Sequence, residues 1–129
     1  MSNRRTTGAS TYRSDFLRSP AWFARRERWF RKHARTGQSP ACAVCGGVGT
    51  SASLELHHLD YRGVTVADGS WRAFERHEDL VPMHPACHDL VHRLIDRDTV
   101  LARQRTRRDA TAIAIVRVRA ALVAHQEMQ

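Results

Sequence analysis

The chain has 129 residues, 42% of them hydrophobic, a length and composition typical of one domain with an ordinary core. No run of about 18 apolar residues exists, which excludes a membrane-spanning helix, and the N-terminus lacks the apolar stretch of a secretory signal. We therefore expect a cytoplasmic protein. The formal net charge of +8 and a pI near 10.9 favour a nucleic-acid partner.

The charge is unevenly distributed along the chain. Residues 1–40 carry ten basic and two acidic side chains, residues 41–95 have a net charge of −3, and residues 96–129 have a net charge of +3. Two basic segments around an acidic middle predict a compact site flanked by surfaces that bind a polyanion. The alternative is that the basic segments serve only solubility.

The first predicted elements are a loose segment and a helix. Residues 1–11 are polar, and we predict a flexible basic N-terminus there. Ser19 and Pro20 have the character of an N-cap and a first helical residue, so a helix is predicted through AWFARRERWFRKHAR. Its aromatic residues form one stripe, which core packing explains most simply. The basic residues mostly occupy other faces and contact either solvent or phosphates: Arg25, Arg28, Arg31, Lys32 and Arg35.

The middle of the chain mixes strand and helix signals. LELHHLDY, residues 54–61, reads as a short strand in which Glu55 and His57 share one face. Residues 62–78 are predicted to be a loop with a turn at Asp68 and Gly69, and residues 79–83 form a second apolar segment. A helix is predicted over 85–97, and a single long helical pattern runs from Asp98 to about residue 125. These elements together predict an α+β fold.

The three cysteines indicate a metal site. An odd number of cysteines argues against a disulfide framework. Cys42 and Cys45 are separated by two residues, and His84 and Cys87 have the same spacing. The four side chains form a Cys₃His set, which is the closed tetrahedral set of a structural zinc. A free cysteine pair or a redox dithiol is the alternative, but the βαβ context of a redox motif is missing.

A second group of histidines could hold another ion. His88 and His92 are four residues apart in the predicted helix, so they share a face and form a natural chelate. One histidine from the strand would complete three protein ligands and leave open positions, as in a catalytic metal site. For the adjacent pair His57 and His58, the plain alternative is one core residue and one surface residue.

Three stretches together resemble a known family. CAVC, LELHHLDY and EDLVPMHPACHDLVH are similar to the pattern of the HNH endonucleases, which have a ββα-metal core with zinc knuckles. The basic lead-in YRSDFLRSPAWFARRERWFRKH resembles that of small bacterial and phage members. The resemblance covers residues 12–95, which implies a nuclease domain there between a basic N-terminal helix and a C-terminal helical extension at residues 96–129.

The resemblance implies a role for each matched residue. His57, His88 and His92 would hold a divalent ion (Mg²⁺, Mn²⁺, Ni²⁺, Co²⁺ or Zn²⁺), and His58 would be the general base for hydrolysis of DNA phosphodiesters. Asp79 stands at the position of the family's middle asparagine and would bond the His58 ring or the backbone of the site. His84 stands where most members have a cysteine.

Two other classes of protein compete with a nuclease. One is a non-catalytic, zinc-stabilised nucleic-acid-binding module, and the other is a metal-dependent hydrolase of a small molecule, which would leave the basic segments without a purpose. The sequence does not distinguish a monomer from a dimer, or a packaging role and its phage partner from homing or restriction.

Overall fold

A computed structural model describes residues 8–128. Its helices are α1 (Gly8–Leu17), α2 (Pro20–Ala34), α3 (Pro85–Arg97), α4 (Thr99–Gln104) and α5 (Arg107–Glu127), and a 3₁₀ turn covers His77–Asp79. Its strands are β1 (Glu55–His58), β2 (Val64–Ala67), β3 (Ser70–Ala73) and β4 (Leu80–Met83). The predicted α+β class is confirmed.

The N-terminal part differs in one respect from the prediction. Residues 1–7 lie outside the described residues, but residues 8–11 belong to α1 where a loose segment was expected. The physical reason is the burial of Phe16, which is 1% exposed and packs against Trp22 with ring centroids 5.6 Å apart. Burying an aromatic ring stabilises the helix that carries it more than the polar composition of residues 1–11 indicates.

Helix α2 begins as predicted. The Ser19 hydroxyl accepts a hydrogen bond from the backbone N–H of Trp22 at 3.2 Å, and Pro20 is the first helical residue. The aromatic stripe divides: Trp22 and Trp29 are buried, whereas Phe23 is 55% exposed. Only part of the stripe therefore serves the core.

Two small antiparallel sheets form the β structure. Strand β1 pairs with β4, with His57 opposite Val81, and α3 begins two residues after β4 ends. Strands β2 and β3 form a hairpin where a loop was predicted. The predicted turn is present: Asp68 and Gly69 both have positive φ, 52° and 74°, which suits a two-residue hairpin connection.

Strand β1 lies between two clusters of buried side chains. On one side, Leu56 joins Phe16, Trp22, Trp29, Ala73 and Leu80. The other cluster joins residues around the first two cysteines to α3 and α5: Cys42, Val44, Leu54, Met83, Cys87, Val91, Ala114 and Val118. Because successive strand residues point to opposite faces, His57 points away from the Leu56 side and toward α3 and α5.

The predicted single C-terminal helix is wrong, because two helices occupy this region. Helix α4 ends at Gln104, and α5 begins after Thr106, whose side-chain oxygen accepts a hydrogen bond from the backbone N–H of Asp109 at 3.1 Å. This cap stabilises a new helix start inside a continuous helical pattern. Among the described residues, no helix is both long and apolar enough to cross a membrane.

Candidate metal centres

The predicted cysteine site is assembled in the structure. The sulfur atoms of Cys42, Cys45 and Cys87 all lie within 4.8 Å of one another, so these residues could hold a metal ion. The fourth predicted ligand is adjacent, since His84 Nδ1 lies 3.3 Å from Cys45 Sγ. Two short segments far apart in the chain therefore bring three thiols together, with the His84 imidazole beside Cys45.

The backbone around these sulfurs is arranged for thiolates. Cys42 Sγ accepts hydrogen bonds from the N–H of His84 at 3.3 Å and of Val44 at 3.4 Å, and Cys45 Sγ accepts one from Gly47 at 3.4 Å. Although burial raises the pKa of Cys42, backbone N–H groups and the His84 ring lower it to about 6. Burial and the neighbouring thiols raise the pKa of Cys87 to about 12. The lowered pKa of Cys42 gives the cluster a thiolate at neutral pH, which suits a cation.

The second predicted group is also assembled. His57 Nδ1 lies 3.1 Å from His88 Nε2, and His92 Nε2 lies 3.0 Å from the same His88 nitrogen. The three ligand nitrogens lie within 4.8 Å of one another, so this group could also hold a metal ion. His57 is fully buried, whereas His88 and His92 are partly exposed. An ion here would therefore be reached from the α3 side.

Two residues outside the predicted ligand set bond the far nitrogens of this group. Glu55 Oε1 lies 2.8 Å from His88 Nδ1, and Thr111 Oγ1 lies 2.8 Å from His57 Nε2. Groups that bond the other ring nitrogen orient metal-binding histidines. A signal for Glu55 exists in the sequence, since it shares a strand face with His57. No local signal points to Thr111, which is 54 residues away from His57.

His58 lies on the opposite face of β1 from His57. Its Nε2 lies 2.7 Å from Glu75 Oε2, and its ring stacks on Tyr61 with centroids 4.3 Å apart. Burial lowers the pKa of His58, against the opposing effect of Glu75. Glu75 is itself held, because the Arg25 guanidinium donates to its backbone carbonyl at 2.8 and 3.0 Å. His58 thus belongs to a group of three buried residues, in which it contacts the Glu75 carboxylate and Arg25 holds the Glu75 backbone.

Among the described residues, the Asp79 side chain bonds neither of its two expected partners, the His58 ring and the backbone of the site loop. The Asp79 carboxylate accepts hydrogen bonds from Arg76 at 3.0 Å and from Arg108, and its backbone carbonyl accepts one from Leu59 N at 2.8 Å. The Arg76 hydrogen bond, with that of Arg108, holds the pKa of Asp79 low. Asp79 therefore joins the end of β1 to α5, and because two arginines hold its carboxylate, it is Glu75 that contacts the His58 ring.

The five basic residues predicted to contact DNA have different environments. Arg25 is 7% exposed and bonded to Glu75, so it is not available to a phosphate. Arg28 donates to the carbonyl of Ala73 at 3.1 Å but stays exposed to solvent. The other three are exposed and line a groove together with Phe74: Arg31, Lys32 and Arg35.

No family model, curated protein or solved structure matches this chain.

The geometry itself links the two candidate metal groups. Cys87 and His88 are neighbours at the start of α3, and one belongs to the thiol group while the other belongs to the histidine group. Whatever fixes the start of α3 therefore fixes both groups at once.

The histidine group generates a prediction about acid. Burial and neighbouring positive charge lower the pKa of His92 to about 4, below its ordinary value of 6.5. The unfolded chain therefore takes up this proton first, and the free energy of unfolding should fall as the pH decreases from 6.5 toward 4. In His92→Gln this contribution disappears, so the variant should show a smaller decrease in stability, by up to about 1.4 kcal/mol per pH unit.

Urea unfolding of both proteins at several pH values, without added divalent ions, measures this difference. The control is His125→Gln, which changes an exposed residue near the end of α5 and should follow the wild type. Parallel stability curves for the wild type and His92→Gln across this window would contradict the prediction.

Proposed function

We propose that this chain is a metal-dependent DNA endonuclease with a ββα-metal core formed by β1, β4 and α3. The observation that supports this most directly is the convergence of His57 Nδ1, His88 Nε2 and His92 Nε2. A strand supplies one ligand, and the helix that follows the paired strand supplies two, one turn apart. This is the arrangement that the sequence resemblance implies.

The chemistry of the donors favours a cation over a purely structural histidine cluster. Because the Glu55 carboxylate accepts from His88 Nδ1–H, the His88 Nε2 facing the other rings carries a lone pair. Nitrogens about 3 Å apart repel one another when each presents a lone pair, and a bound cation removes that repulsion. Three imidazoles without a carboxylate favour Ni²⁺, Co²⁺, Mn²⁺ or Zn²⁺ over Mg²⁺.

In phosphodiester hydrolysis, an ion at this group and His58 would have separate roles. A divalent ion supplies charge for the phosphate oxygens in the transition state. Attack of water on phosphorus breaks the bond from phosphorus to the 3′ oxygen, and the leaving oxygen takes a proton from solvent. His58 would accept the proton of the attacking water at Nδ1, since its Nε2–H is held by Glu75. The lowered pKa of His58 keeps the ring neutral near pH 7, as a base must be. Glu75 fixes the ring orientation, and Arg25 fixes Glu75.

We assign the thiol group to a structural zinc. Cys42, Cys45, Cys87 and His84 form a closed set, which leaves no position for a substrate. N–H groups that point at the sulfurs are suited to thiolate ligands. Gly46 adopts a positive φ of 79°, which allows the tight turn after Cys45. Zinc would join the loop that carries Cys42 to the start of α3.

The groove beside α2 is the proposed DNA surface. Arg31, Lys32 and Arg35 are exposed there and supply affinity for phosphates that does not depend on sequence. Phe74 is 71% exposed at the same groove and offers a ring for contact with a base or sugar. Arg25 and Glu75 also line this groove, and the Glu75 carboxylate contacts the His58 ring.

One observation favours a second candidate, the non-catalytic zinc-stabilised nucleic-acid-binding module. His58 is only 2% exposed and packs between aromatic rings. A histidine in that environment also serves a core through its bond to Glu75. In this second candidate, the basic groove and the zinc keep their roles and no phosphodiester is cut.

The first test of the proposal is cleavage of supercoiled plasmid. Ni²⁺, Co²⁺ or Mn²⁺ should support cleavage at lower concentration than Mg²⁺, and excess Zn²⁺ should inhibit. His92→Ala should abolish cleavage, and His58→Ala should slow it about 10²- to 10⁴-fold, the usual size of general-base catalysis.

The control is His125→Ala, which should cut like the wild type. Undiminished cleavage by His92→Ala with an unchanged metal preference would mean that the ion lies elsewhere. A wild type that binds DNA but cuts with none of these metals would favour the binding module.

The second prediction concerns zinc. The purified protein should contain one tightly bound zinc with Zn–S distances near about 2.3 Å by X-ray absorption. Cys45→Ser should lose this zinc and unfold the loop that carries Cys42, because metal binding and folding are coupled in such sites. His92→Ala should retain it. Metal analysis that finds a folded, active protein without zinc excludes the assignment.

The third prediction concerns the groove. Replacing Arg31, Lys32 and Arg35 with glutamine should weaken binding to any DNA sequence. The slope of log K against log salt concentration should become less steep by about 0.9 for each phosphate that is no longer neutralised. The matched control removes three exposed charges elsewhere, at Arg97, Arg103 and Arg105. Equal salt dependence for the two triple variants, measured by fluorescence anisotropy, would place the DNA surface outside the groove.

A further inference from the structure

Helix α5 lies outside the part of the chain that resembles a nuclease, yet it reaches the histidine site. Arg107 Nε donates to the carbonyl of His58, and Arg108 bonds the Asp79 carboxylate. One turn further along, Thr111 bonds His57. The first turns of α5 therefore contact both adjacent histidines of β1, one through its backbone and the other through its ring.

The contact between Thr111 and His57 is closed to solvent. Both residues are 0% exposed, and Thr111 Oγ1 lies 2.8 Å from His57 Nε2. Water cannot replace either partner, so the hydroxyl and the ring nitrogen depend on each other for a hydrogen bond. The opposite nitrogen of the same ring, Nδ1, faces His88 Nε2.

A neutral imidazole carries one N–H. The nitrogen that carries it decides whether the His57 ring can bind a metal through Nδ1. If Nε2 carries the proton, it donates to Thr111, and Nδ1 presents a lone pair to the other two histidines. If Nδ1 carries the proton, it points into the group and blocks a metal–nitrogen bond. Glu55 settles the same choice for His88 from the other side, because a carboxylate accepts from His88 Nδ1–H.

We propose that Thr111 is a positioning residue that accepts a hydrogen bond from His57 Nε2–H when an ion is bound and so makes Nδ1 the metal-binding nitrogen. This inference rests on the proposed ion at His57, His88 and His92. It does not depend on the substrate or on cleavage. It makes α5 part of the metal site, because this helix carries Thr111, which bonds the proposed metal ligand His57.

The first experiment measures the tautomer directly. The ¹⁵N chemical shifts of the His57 ring, with Zn²⁺ bound at both groups, should show a proton on Nε2 and the metal on Nδ1. In Thr111→Val, which keeps the shape of the side chain but removes the hydroxyl, His57 Nε2–H loses its acceptor, so its proton signal should move upfield of the wild-type position. A ring protonated at Nδ1 in the wild type overturns the proposal without any need for a variant.

The second experiment measures metal affinity by titration with Ni²⁺ or Co²⁺. Thr111→Val should weaken binding about 10- to 100-fold, the usual effect of removing such an outer partner, and Thr111→Ser should restore it to within a few fold. Thr111→Val that binds Co²⁺ with wild-type affinity and visible spectrum contradicts the proposal.

Different results would exclude the role of Thr111, the bound ion and the nuclease activity. A wild type that binds neither ion at this group excludes the proposed ion and the role of Thr111 with it. A wild type that binds metal but cuts no DNA removes the nuclease and leaves the role of Thr111 in place.

Discussion

The imidazole of His57 is fully buried, so each of its two nitrogens must find a partner inside the protein. One nitrogen meets Thr111 of α5 and the other faces His88 of α3. This requirement draws β1, α3 and α5 together at one point. Much of the surrounding structure follows from it, because the strand that carries His57 turns its other face, with Leu56 and His58, into the cluster around Trp22.

Helix α3 transmits the position of the thiol group to the histidine group. Cys87 lies in its first turn and His88 is the next residue, so a shift of the helix start moves both. The loop that carries Cys42 is held from a third direction, because the Arg119 guanidinium of α5 donates to the carbonyls of Ala43 and Val44. The zinc that we propose would thus act on the histidine group through the start of the helix.

The arginines of this chain have two physical roles that its net charge does not separate. Several bind backbone carbonyls across the fold: Arg25, Arg26, Arg28, Arg107 and Arg119. A planar guanidinium with several donors can satisfy carbonyls that no strand or helix reaches. Only exposed members such as Arg31 and Arg35 keep their donors for a phosphate, so the pI overstates the basic surface available to DNA.

Local spacing determined much of this protein. The two-residue spacings of the cysteines, the helical period that aligns His88 with His92, and the helix starts at Pro20 and Pro85 all act over a few residues and are visible in the sequence. Tertiary structure alone decided the partners of the buried groups. Glu75 and Thr111 reach His58 and His57 from 17 and 54 residues away, and no periodicity encodes such distances. The burial of Arg25 has the same cause, because it depends on what the folded chain packs against that side chain.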